Sequence, residues 1–267
     1  MLKLLNKKMI KIYDLLIDVG NTNIHIGFVS GANKKIYKIT TINVTCNTNY
    51  NKAGRDIRRA IGSRKIEAAY ICSVCPSTLS VIVKILKALK IKINILGRDI
   101  KLQIKNKYKN PLQVGTDRLV NAIAVAGEYK LPAIIIDFGT AVTIDSVSKN
   151  KEYLGGCILA GLRMSAKALH RQTALLPDVN IRPVKKYFGR TTEESIISGI
   201  VWGYAGASMT IVNNLKKTLR SEPVIVTTGG DSKLMKNFFP KNYIIDTALT
   251  LKGINIARLS FLRCSEV

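Results

Sequence analysis

The chain has 267 residues, room for two domains of ordinary size or one large one. Hydrophobic residues make up 47% of it and glycine and proline are not in excess, which supplies a packed core and excludes a disordered chain. The net charge of +25 would suit a polyanion, but the basic residues are scattered in pairs such as Lys90 and Lys92 or Lys105 and Lys107. Without a dense basic block and interleaved aromatics they read first as solvated faces.

The start, Met1 to Lys11, is basic, its apolar patches are too short for a signal peptide, and Met9 offers a second possible start. Ile12 to Val29 reads as a strand, a tight glycine turn and a second strand, and Ile36 to Val44 continues as a third, giving an antiparallel meander. A helix is predicted near Ala53 to Ile61 and a short apolar strand over Glu67 to Ser73. Pro76 then introduces a helix over Leu79 to Leu89, followed by a strand at Ile91 to Leu96. A basic loop holding Tyr108 and Pro111 leads to a helix from about Asp117 to Glu128.

At Ala133 the pattern begins again. Ile134 to Thr140 parallels Leu15 to Asn21: each is an apolar strand ending in Asp-x-Gly and a small polar residue, followed by a second apolar strand. Asp137 lies 119 residues after Asp18, close to half the chain. The repeat predicts two similar α/β halves, residues 1–130 and 131–267, with hairpin turns facing a shared cleft. A glycine-rich stretch, Gly155 to Gly161, leads to a helix around Arg163 to Gln172. Ser195 to Leu219 reads as a long helix, Val224 to Gly230 as a core strand with a glycine turn, and Ser232 to Asn237 as a last helix. No apolar run approaches the ~20 residues of a membrane span, which predicts a cytoplasmic protein.

Five cysteines, Cys46, Cys72, Cys75, Cys157 and Cys264, make an irregular and odd-numbered set that suits a reducing compartment. Cys72 and Cys75 have the C-x-x-C spacing of metal and redox sites. With no second pair and only His25 and His170 as histidines, they read as a small buried pair.

The turn Asp18-Val19-Gly20-Asn21-Thr22 has the ingredients of a phosphate nest: a glycine that lets the backbone approach an anion, side-chain donors, and a carboxylate for Mg²⁺. The same residues also build ordinary hairpin turns; the second copy at Asp137 favours phosphate binding. There is no G-x-x-x-x-G-K-[ST] and no G-x-G-x-x-G after a strand, which excludes a P-loop and a dinucleotide fold. Thr227-Thr228-Gly229-Gly230 suits either a nucleotide-side glycine turn or a plain strand-to-helix turn.

Taken in order, Asp18 to Thr22, Gly115-Thr116-Asp117-Arg118 and Asp137-Phe138-Gly139-Thr140-Ala141 resemble the three motifs of type III pantothenate kinases, with further agreement at Tyr108-x-Asn110-Pro111, Gly155-Gly156-x-Ile158 and Gly189-x-x-Thr192. The resemblance runs from about Tyr13 to beyond Gly253. It implies a duplicated, ribonuclease-H-like, actin-like ATPase fold and transfer of the ATP γ-phosphoryl to pantothenate at the start of coenzyme A synthesis. It also implies a homodimer with substrate sites near the interface, and a need for Mg²⁺ and a monovalent cation, K⁺ or NH₄⁺. On the same resemblance Asp117 is the general base. Tyr108, Gly115, Thr116, Arg118 and Thr192 contact pantothenate; Asp18, Val19, Gly20, Asn21, Thr22, Asn23, Ile24, His25 and Thr140 bind ATP; Asp137 holds the monovalent cation. Asp117 alone would equally suit a helix N-cap or first-turn acid, and His25 a strand histidine with no catalytic task. Two departures from the family pattern are Ala160, where proline is usual, and Cys72 and Cys75, in a segment that usually reads Ser-Ser-Val-Val-Pro. The competing readings are a nucleic-acid-binding transcriptional accessory protein on the same scaffold and a kinase for another small hydroxyl or carboxylate substrate.

Overall fold

The computed structural model describes residues 11–33, 35–44 and 49–265; the basic start with Met9, and Cys46, lie outside the described residues. The chain divides into two compact units, Met1–Lys101 with Ile254–Val267, and Leu102–Gly253. This differs from a division at residue 130, which followed the start of the repeat. Helix α3 (Thr116–Glu128) packs on strands β7 (Ala133–Phe138) and β8 (Ala141–Val147) of the second unit, and the last turns of α7 (Leu249–Ser265) belong to the first.

In the first unit β1 (Ile12–Val19), β2 (Asn23–Val29) and β3 (Tyr37–Asn43) form the antiparallel meander, and β4 (Lys65–Ser73) and β5 (Lys92–Ile95) extend it in parallel, in the order β3-β2-β1-β4-β5. The central strands β1 and β4 carry buried apolar runs, Leu15 to Ile17 and Ala68 to Cys72, as a strand covered on both faces requires. Helices α1 (Tyr50–Ile61) and α2 (Pro76–Ala88) contribute Ala53, Ile57, Ile82 and Ile85 to the core with Leu15, Ile17 and Ile71. Asn49 starts α1 by accepting a hydrogen bond from the Lys52 N–H, and Pro76 starts α2 at a position where its missing N–H costs nothing.

The second unit repeats this order strand for strand. Its sheet runs β11-β10-β7-β8-β9, with β6 (Lys105–Asn106) added in parallel at the β9 edge. Strands β7 and β8 pair antiparallel, as do β8 and β9 (Glu152–Ala160), while β10 (Val224–Thr228) is parallel to β7 and to β11 (Ile244–Ile245). The duplicated, actin-like reading of the repeat therefore holds within each unit. The turns differ by one residue: Val19 pairs with Ile24 across the first, Phe138 with Val142 across the second.

Three features were not anticipated. The glycine-rich stretch is itself strand β9, whose glycines conceal the alternation that marks a strand. β6 and β11 are two residues each, and α7 was not read at all. Helix α5 (Thr192–Leu219) contains a window of mean hydropathy 1.4, and among the described residues it is the one helix long and apolar enough to cross a membrane. Its glycines and serines interrupt any apolar run, and Ile197, Val201, Ala205 and Val212 are buried in the second core. Cys72, Cys75, Cys157 and Cys264 are in no disulfide among the described residues, and the first two are buried.

Candidate active site

In the first unit the sequence-predicted phosphate loop is the β1–β2 turn. The Gly20 N–H donates to the Asn23 carbonyl at 2.9 Å and closes the turn, and the Val44 N–H ties the Thr22 carbonyl to the end of β3 at 2.9 Å. Val19 and Ile24 are buried and anchor the loop, while Asn21 and Thr22 are exposed at its tip. Asp18 is half-buried and stands opposite His25 in the antiparallel register and beside Cys72 in the parallel one, so these side chains share one face of the sheet. His25 Nδ1 is 3.0 Å from the Thr41 hydroxyl, and burial lowers its pKa below the usual histidine range. A neutral ring already engaged by Thr41 is a poor cationic phosphate ligand, which favours the strand-histidine reading.

The second unit collects acids around the start of α3 and the centre of its sheet. Asp117 lies in the first turn of α3, where its Oδ1 accepts from the Arg118 N–H at 2.8 Å. The helix-start role thus occupies Oδ1. Burial pushes the Asp117 pKa up; the nearby Asp145 carboxylate raises it further, while the Arg118 N–H and guanidinium pull it back. Asp137 is the penultimate residue of β7 and partly buried, with Oδ2 accepting from the Asn121 side chain at 3.1 Å. Asn121 is buried and held in turn by the Thr250 hydroxyl, 2.8 Å from its Oδ1. Burial, reinforced by Asp117 and then Asp145, pushes the Asp137 pKa up to about 7. Gly229 lies against the same carboxylate: its φ is +89°, and a Cβ there would stand 2.4 Å from Asp137 Oδ1. Both facts demand glycine, so the Thr227-Thr228-Gly229-Gly230 turn shapes the wall of this site.

Arg118 is 6% exposed and paired with Asp145, which Tyr153 also contacts. Tyr108 lies close enough to Arg118 to favour its charged form, and the Tyr108 and Tyr153 rings lie 6.5 Å apart. The unit places Tyr108 near Arg118, puts Gly115 and Thr116 beside Asp117 at the start of α3, and brings Asp117 near enough to Asp137 to raise its pKa. Thr140 is half-buried in the β7–β8 turn. Thr192 opens α5 on an exposed stretch capped by Thr191 and shares no hydrogen bond with the Arg118 group.

Known proteins resemble this chain over most of its length. A family model described as type III pantothenate kinase matches residues 14–214. The chain belongs to the type III pantothenate kinase family. A type III pantothenate kinase of Syntrophus aciditrophicus (strain SB) is 36% identical over 246 residues, covering 91% of this chain and 97% of that one. Among solved structures, a conserved Campylobacter jejuni protein assigned to the Baf family of transcriptional activators aligns with a TM-score of 0.61 at 20% identity, covering 94% of this chain and 99% of that one. The activator of 2-hydroxyisocaproyl-CoA dehydratase from Clostridium difficile, with bound ADPNP, aligns at 0.50 and 14% identity, covering 95% and 97%. These two establish the fold alone. Family membership carries the activity: ATP-dependent phosphorylation of pantothenate in coenzyme A synthesis.

Within this pantothenate kinase, motif reading missed Asn121, Asp145 and Tyr153. Asn121 lies three and four residues past Arg118 and Asp117, one turn along α3, and so on the same face. Asp145 is a lone acid inside an apolar strand, the pattern of a charge with a buried partner.

Proposed function

We propose that Asp117 is the general base of pantothenate phosphorylation and that the motif residues divide the remaining work. The observation that carries this is the Asp117 carboxylate itself, fixed at the start of α3 through one oxygen, with a raised pKa and Arg118 as its chain neighbour. The other oxygen accepts the proton of the primary hydroxyl as phosphoryl transfer proceeds. Arg118, Tyr108, Gly115, Thr116 and Thr192 hold pantothenate. The loop from Asp18 to Ile24, together with Thr140, holds the ATP phosphates, in line with the nucleotide analogue bound by the Clostridium difficile activator of similar fold.

The residues fit the ions that such a reaction uses. Asp18 is a single half-buried carboxylate, and no group of three or more metal-ligating side chains occurs among the described residues. That suits a Mg²⁺ held mainly by phosphates and water. Asp137 offers a hard oxygen ligand beside two other acids, whose mutual repulsion a K⁺ or NH₄⁺ would relieve. Bound there, the ions neutralise charge developing on the transferred phosphoryl group.

The working form on this reading is a cytoplasmic homodimer. An apolar groove of about 400 Å³ in the second unit, lined by Leu159, Leu169, Ile200 and Tyr204, supplies surface of the kind a subunit contact covers.

The test is ATP consumption by the purified chain with pantothenate, Mg²⁺ and K⁺, against controls lacking each. Turnover should require pantothenate and rise with K⁺ or NH₄⁺; turnover with another small hydroxyl compound instead would overturn the substrate assignment. Asp137→Ala is expected to flatten the response to K⁺, and an unchanged half-activating concentration would remove Asp137 from that role.

A further inference from the structure

We infer that Asp145 is a positioning residue for the acceptor substrate: its carboxylate locks the Arg118 guanidinium in the orientation that meets pantothenate, and Tyr153 locks Asp145. This rests on the reading above that Arg118 contacts pantothenate.

Asp145 sits in the middle of β8 and is 1% exposed. Arg118 Nε donates to its Oδ1 at 3.1 Å and to Oδ2 at 3.2 Å, and Nη2 donates to Oδ1 at 2.5 Å. The Tyr153 hydroxyl donates to Oδ1 at 2.8 Å, and the guanidinium carbon lies 5.8 Å from the Tyr153 ring centre. A guanidinium is a rigid planar fork, so a carboxylate engaging two of its nitrogens fixes the plane as well as the position. With the Nε N–H and one Nη2 N–H committed to Asp145, the second Nη2 N–H and the two on Nη1 remain for substrate.

The backbone is shaped around this pair. Gly156 of β9 stands opposite Asp145, and a Cβ there would come within 2.7 Å of Asp145 Oδ1 and 2.0 Å of the Ile144 carbonyl. Glycine alone lets β9 cross at that distance, which gives the Gly155-Gly156 pair a reason beyond turn-making. α3, β8, β9 and the Tyr108 segment thus converge on one side chain.

The electrostatics agree with the geometry. Burial alone would lower the Arg118 pKa, and the Asp145 carboxylate outweighs that and raises it, so the charge is held in place. The pairing also limits how far Arg118 can draw Asp117 toward an ordinary carboxylate pKa, because Asp145 opposes it.

The experiment compares Asp145→Asn, Tyr153→Phe and Arg118→Lys, and the Asp145→Asn/Arg118→Lys double variant, in the full chain. Folding is checked by circular dichroism and nucleotide affinity. Asp145→Asn should raise the pantothenate KM roughly tenfold or more while changing the ATP KM less than about twofold, since only the acceptor side loses its orientation. In the double variant the two changes should be strongly sub-multiplicative, because Asp145 acts through Arg118. Tyr153→Phe should act in the same direction and more weakly, and it decides the matter if Asp145→Asn does not fold. Equal rises in both KM values, or effects that multiply in the double variant, would show a merely structural Asp145 and overturn the proposal. A wild-type chain without pantothenate-dependent turnover would instead remove the underlying reading, whatever the variants do.

Discussion

Replacing Asp117 by asparagine is expected to lower kcat by about 10²–10⁴-fold, the usual contribution of a positioned general base. Nucleotide affinity should barely move. Asparagine keeps an oxygen to accept from the Arg118 N–H, which donates to Oδ1 at 2.8 Å in the wild type, so the start of α3 survives. What is lost is the carboxylate proposed to take the proton. The same carboxylate sets the acid side of the pH profile. Its folded pKa is raised by burial, so the protonated, inactive form persists to higher pH than for an exposed aspartate. Activity should fall as pH drops through that raised value, and Asp117→Asn should abolish this acid limb in the residual rate. A kcat for Asp117→Asn within about threefold of wild type would leave Asp117 with its helix-start role only.

The sequence carried the fold because both units announce themselves twice, through the same strand order and the same Asp-x-Gly turn. Continuous apolar strands such as Ile134 to Ile136 can be read locally, and so can Pro76 at a helix start. The site was legible where chemistry lies in consecutive residues, as in Gly115 to Arg118. It was illegible where it depends on pairing across the sheet. Asp145 and Tyr153 are eight residues apart, and only the β8–β9 register brings them together. Strand β9 was obscured because Gly155 and Gly156 stand where side chains would ordinarily mark the alternation. They are there to admit Tyr108 and Asp145. Thr250 orders Asn121 from 129 residues away, a distance at which local pattern has nothing to say.

The longest-range pairing in the first unit has the largest expected effect on stability. Arg258 in α7 is 2% exposed, and its Nε donates to Asp14 Oδ2 at 2.7 Å across 244 residues. Its Nη2 reaches the Gly31 carbonyl at 2.9 Å, while Asn255 one turn earlier donates to the Asn33 carbonyl at 3.1 Å. The end of α7 is thereby fastened to β1 and to the turn after β2. Asp14 has a second duty: the β1–β4 register shifts between Tyr13 and Leu15, and its Oδ1 accepts at 3.1 Å from the Ala68 N–H there. Arg258→Met would leave Asp14 buried and unpaired, at a cost of about 3–5 kcal/mol. Asp14→Asn together with Arg258→Met removes both charges yet keeps an acceptor for Ala68, and should recover much of that loss. Urea unfolding midpoints of the two variants and the wild type check this. A loss under about 1 kcal/mol for Arg258→Met would mean that water or a neighbour replaces the arginine. A double variant no more stable than Arg258→Met would mean that packing of the long side chain, and not the charge of Asp14, makes this arginine necessary.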